Sequence, residues 1–216
     1  MNQVLDGAKT RKLVLQTLSG AVVGAVVTYF ALEMGGGAAD LEDSARLAAV
    51  AAGIVYALMG AFVGFGAIVP GAGAKFLNVE DADEIVEERG KFTPAAIACV
   101  LTGALLIALA LTPGGDQPGA LTRDMAALVA VAAFASLVVL GLWMRGQIDE
   151  FNRSLSTESS ALALHVSLLL FGGWAALAHL GYVEWIAPLG LLAAYAMIQL
   201  AATFWVVGRR GLLMPR

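Results

Sequence analysis

The sequence predicts an all-α fold, a polytopic membrane helix bundle with six transmembrane helices, on three observations. The 216-residue chain is 59% hydrophobic with a mean hydropathy of +0.80, above the roughly 45 to 50% apolar share of soluble domains. Six runs supply the ~20 apolar residues that carry a helix across a bilayer: 13–32, 47–69, 93–111, 125–144, 159–180 and 185–207. The runs are continuously apolar, whereas barrel strands alternate over about ten residues, and backbone groups in lipid are then satisfied only within helices. Six spans with short loops make residues 1–216 a single membrane domain.

The first run follows Lys9, Arg11 and Lys12 and exceeds the ~7 to 15 residues of a signal-peptide core, so an uncleaved anchor is expected. It holds Gly20 and Gly24, and the second run holds Gly60 and Gly64. GxxxG pairs let helix backbones approach closely, and packing within the chain's own bundle is the expected use. The loop 71–91 opens with a turn after Pro70 that follows no strand, so it is not a phosphate-binding loop. Within it, Val79, Ala82, Ile85 and Val86 recur at helical steps among acidic residues, the pattern of a short amphipathic helix. Its acidic residues lack calcium-loop spacing, so no metal is implied. Pro94 is expected in the first turn of the third span. Residues 113–119 are turn chemistry. Trp143, Trp185 and Trp205 near span ends form an aromatic belt, with Trp174 deeper and packed. A faint repeat aligns Asp83-Glu84-Ile85 with Asp149-Glu150-Phe151.

Eleven of the thirteen Lys and Arg fall on the side of the amino terminus, against Arg46 and Arg123 on the other. By the positive-inside rule both termini are cytoplasmic. The single cysteine, Cys99, rules out an intrachain disulfide framework. No basic stripe points to nucleic acid, and no cofactor is implied. His165 and His179 lie on one helix about 21 Å apart, so they cannot clamp one haem. The partners expected are the lipid bilayer and either other membrane subunits or a second copy.

The stretch 149–180 carries the candidate site. Read as a helix, Ser154, Glu158, Ala161, His165, Gly172, Ala176 and His179 share a small, polar face, expected to point into the bundle. Asp149 and Glu150 stand at pairing distance from Arg153. The juxtamembrane motif Asp149-Glu150-x-x-Arg153-x-Leu155-x-x-Glu158 ahead of an Ala-rich span resembles that of small uncharacterised bacterial inner-membrane proteins, and the resemblance runs on through Trp185, Pro188, Trp205, Gly208, Arg209 and Arg210. It covers the chain from Arg145 onward. The resemblance implies a multi-pass protein of the bacterial inner membrane and leaves the activity open.

Ionisable residues within spans are functional candidates by default. Glu158 and His165, with Gln199 and Tyr195, therefore line a proton or solute path or serve as packing contacts. Catalytic residues are not identified: Ser167 and His165 point to different faces of one helix, and no hydrolase or metalloprotease motif occurs. The function expected is a non-catalytic accessory or scaffold subunit of a membrane complex. The alternative is a small transporter or channel using Glu158 and His165.

Overall fold

In the computed structural model, residues 24, 29, 41–77, 79–112 and 121–213 are described. Of these, 82% are helical and none is in a strand. Seven helices follow in order: α1 (Leu41–Ile68), α2 (Pro70–Gly73), α3 (Ala82–Glu87), α4 (Arg89–Ala110), α5 (Arg123–Met144), α6 (Glu150–His179) and α7 (Pro188–Arg209). Five of them, α1, α4, α5, α6 and α7, are long and apolar enough to cross a membrane. The span 13–32, with Gly20, lies outside the described residues except for Gly24 and Tyr29, which are helical and exposed.

Local chemistry explains the helix ends. Asp149 caps α6 by accepting from the Asn152 N–H at 2.8 Å, and this cap starts α6 nine residues before the expected 159. Thr122 caps α5 through the Met125 N–H. Pro188 at the first position of α7 needs no intrahelical partner for its missing N–H, so the helix begins later than the apolar run. Gly181 and Gly211 take φ of +79° and +75°, ending α6 and α7 with bonds from Tyr182 N to Leu177 O and from Leu212 N to Val207 O, the Schellman pattern. Pro94 stands within α4 rather than in its first turn, because the helix already starts at Arg89.

The helices α1, α4 and α7 form the centre: α1 packs on both α4 and α7, and α4 touches α7. Their core joins Ala49, Val50, Ala52 and Tyr56 of α1, Leu106 and Ala110 of α4, and Ala193 and Ala196 of α7. Glycines bring α1 and α4 together. A Cβ on Gly103 would lie 2.6 Å from Gly53 O, and one on Gly60 would lie 2.7 Å from Ala96 O. Gly64 stands back, its nearest neighbour the Ala96 methyl at 3.5 Å. The close approach is thus made by Gly53, Gly60 and Gly103, and the Gly60–Gly64 pair contributes only its first member.

The loop 71–91 folds under α1 and α4 as α2 and α3. Asp81 caps α3 by accepting from Glu84 N–H, and Glu84 in turn accepts from Glu80 N–H. Ile85 is fully buried in a cluster with Leu77 and Val79, covered by Val63, Phe76 and Phe92. Val86 is exposed, so the apolar face of this short helix is narrower than its sequence pattern.

Outside the centre, α5 packs on α4 and α6 packs on α7, and α5 and α6 do not touch each other, although the turn 145–149 joins them. In α5 only Ala126 and Ala133 are buried, and in α6 only Ser159, Ala163 and Ser167. No residue from 134 to 158 is buried.

Candidate functional site

Charged side chains gather at the end of the bundle where α1, α5 and α7 finish and α4 and α6 begin. The terminal geometry of α7 sets the first cluster. Glu158, two turns into α6, accepts from Arg209 Nη2 at 3.0 Å through one carboxylate oxygen and from Arg210 Nη2 through the other. Arg210 also donates to Ser154 Oγ at 3.2 Å and lies over the Phe151 ring at 5.8 Å. One carboxylate therefore holds two cations at the end of α7, where positive charge also suits the helix dipole.

A second cluster ties α4 to α6. Lys91 donates to Glu88 Oε1 at 2.7 Å and to Asp149 Oδ2 at 3.0 Å. Asp149 thus caps α6 with one oxygen and meets an ammonium with the other. The Asn152 backbone N–H first, and Lys91 second, hold its carboxyl below the ordinary value of 3.8. Beside these, Arg89 donates through Nε and Nη2 to Ala67 O at 3.2 and 2.9 Å, covering a carbonyl at the end of α1. At the far end Arg46 does the same for Thr112 O at 3.0 Å.

These contacts redistribute the residues singled out from sequence. Asp149 pairs with Lys91 rather than the expected Arg153, and Glu158 with Arg209 and Arg210; Arg153 and Glu150 make no ion pair among the described residues. The face running through Ala161, His165, Gly172, Ala176 and His179 is exposed rather than turned into the bundle. The packed stripe of α6 runs one helical position over, through Ser159, Ala163 and Ser167. His165 bonds its own helix, Nδ1 to Ala161 O at 2.6 Å. It lies seven residues beyond Glu158 and does not join that cluster. Tyr195 is 45% exposed, Gln199 is half-buried, and no hydrogen bond among the described residues joins either to Glu158 or His165. Trp174 bonds Glu184 O through its indole N–H at 2.9 Å, so it fastens the α6–α7 connection. The aligned repeat does not extend to structure: Asp149 caps a continuous helix, whereas Asp81, not Asp83, caps α3, which ends before α4 begins.

Comparison with family models, curated proteins and solved structures finds no match to this chain.

Sequence reasoning passed over three features. Tyr56 donates from inside the core to Ala196 O at 2.6 Å, joining α1 to α7; a lone tyrosine in an apolar run was the signal. Arg209 and Arg210 were visible as a basic pair at a span end, level with Glu158 if the fifth and sixth runs are antiparallel. Ser167 is buried with no hydrogen-bond partner for its hydroxyl among the described residues, and no pattern distinguishes it from neighbouring serines. Five acidic residues of the α3 region, Glu80, Asp81, Asp83, Glu84 and Glu87, border one open depression. No group of three or more His, Cys, Asp or Glu among the described residues is placed to hold a metal ion.

Proposed function

We propose that this protein is a non-catalytic scaffold or accessory subunit of a membrane complex, set in a bacterial inner membrane with both termini cytoplasmic. The observation that carries the reading is the use of Glu158. Of the candidates for a transport path it is the one acidic side chain at the membrane edge, and it is committed to Arg209 and Arg210 as a fastener between α6 and α7. Lys91, Arg89 and Arg46 serve in the same way, each joining one helix to another segment. Charged groups used as ties support a framework role, since function must be argued from a site.

The orientation rests on the excess of Lys and Arg at the clustered end. The transporter alternative needs Glu158 and His165 on one aqueous route, whereas one faces arginines and the other lies on the exposed side of α6. The deciding experiment is gentle extraction from native membranes followed by native mass spectrometry. A particle holding this chain with a stoichiometric companion is the expected result. A bare monomer that carries a flux abolished by Glu158→Gln would overturn the reading.

A further inference from the structure

We propose that Lys91 and Asp149 form an ionic latch that pins the turn joining α5 to α6, the apex of this arm, to α4, and that opening the latch lets the apex swing away from the central helices.

No side chain at the apex is fully buried. The buried residues of α5, Ala126 and Ala133, lie in its first half, and those of α6 begin at Ser159. Between them the second half of α5, the turn and the first two turns of α6 contribute no buried side chain. The backbones of α4 and α6 make no contact. Lys91–Asp149 is the one ion pair among the described residues that joins these two helices. The other contacts near the apex, Arg209 and Arg210 with Glu158 and Arg210 with Ser154 and the Phe151 ring, all join α6 to α7 and so act as the pivot.

The pair is built to be reversible. Lys91 has 26% of its side chain exposed and Asp149 has 52%, so both ions rehydrate on separation. Lys91 keeps Glu88 as a second partner on its own helix, and Asp149 keeps its bond to Asn152 N–H. Neither group is stranded when the latch opens, and the α6 cap survives. An exposed pair of this kind holds a closed state over an open one by only about 1.5- to 5-fold, which suits a device that shifts with ionic conditions.

The test uses the full chain in lipid vesicles in a Cys99→Ser background. Spin labels are placed at Gly90→Cys on α4, where a side chain meets nothing within 4 Å, and at Gln147→Cys in the exposed turn. Electron–electron double resonance then reads the distance between them. The short distance should be the larger of two populations at about 0.01 M salt, where screening reaches ~30 Å, and the longer one should grow at about 1 M, where it falls to ~3 Å. Asp149→Asn keeps a good capping residue and removes the charge. This variant and Lys91→Gln should raise the ratio of long to short populations by about 1.5- to 5-fold and abolish the salt response. Lys91→Arg should restore the short population. A distance distribution unchanged by salt and by both neutral variants would overturn the proposal, as would a change in Lys91→Arg as large as in Lys91→Gln. The salt series on the parent chain decides the matter if a variant fails to fold.

Discussion

Replacing Gly60 and Gly64 by alanine, one at a time, separates the sequence motif from the contact that the fold makes. At Gly60 the new methyl carbon would lie 2.7 Å from Ala96 O, 2.8 Å from Val100 Cγ2 and 2.9 Å from Val100 N. Carbon contacts are comfortable at about 3.5 to 4.0 Å, so α1 and α4 must separate by several tenths of an ångström, and two of the three obstructing atoms are backbone. Overpacking costs about 1 to 3 kcal/mol, and two backbone clashes place this site in the upper half of that range. Alanine returns about 1 kcal/mol of helix propensity. The net expectation for Gly60→Ala is a loss of about 1 to 2 kcal/mol. At Gly64 the nearest atom is the Ala96 methyl at an ordinary 3.5 Å, so Gly64→Ala should be neutral or stabilising by up to about 1 kcal/mol. The gap of about 2 kcal/mol corresponds to roughly 30-fold in the folded-to-unfolded ratio. Reversible unfolding in mixed micelles with increasing SDS, followed by tryptophan fluorescence, measures both variants. Changes equal to within about 0.5 kcal/mol, a typical limit for such comparisons, would refute the reasoning and restore the motif as a unit.

Three further outcomes are expected. Tyr56→Phe removes the bond to Ala196 O and should cost about 0.6 to 1.7 kcal/mol, the range for hydrogen bonds between helices in membranes, in the same unfolding assay. Glu158→Gln leaves Arg209 and Arg210 without their shared anion. With all three side chains at least 29% exposed, the loss should be about 1 kcal/mol or less, and a larger loss would mean that the pair is shielded from water. Asp149 supplies the pH dependence. Its carboxyl is held below the ordinary value of 3.8, so its stabilising contribution is complete above that value and is lost as pH falls through the lowered one. Protection factors in the first turn of α6, taken relative to the intrinsic exchange rate at each pH, should therefore fall on acidification below about pH 4, and Asp149→Asn should flatten this response.

The helical class and the five helices long and apolar enough to cross a membrane were legible because each is a long apolar run, a signal that depends on composition alone. Span ends were less so. The start of α6 depended on an Asp149 side chain that could cap or pair, and it does both. The inward face of α6 was misassigned by one helical position. In water a polar stripe and an apolar stripe contrast strongly, but in a membrane both faces are apolar and the contrast that directs burial vanishes. Small residues then decide packing, and Ala, Gly and Ser occur on both sides of this helix. Ion-pair partners were least legible, since Glu158 meets residues 51 and 52 positions away and Asp149, to which local spacing had offered Arg153, meets Lys91 58 positions away. The glycine contacts followed the same rule: Gly53 and Gly103 face each other across helices and form no motif within either.

The dependence of α6 on α7 also bears on how the chain is made. Translation proceeds from the amino terminus, so α6 leaves the ribosome while its one packing partner among the described helices is still unsynthesised. Until α7 follows, Ser159 and Ser167 face lipid and Glu158 waits at the membrane edge without Arg209 and Arg210. A nascent chain halted before Pro188 would carry the α4–α5 contact but an α6 without its partner among the described helices. Completion of the last helix is then the step that commits the preceding one.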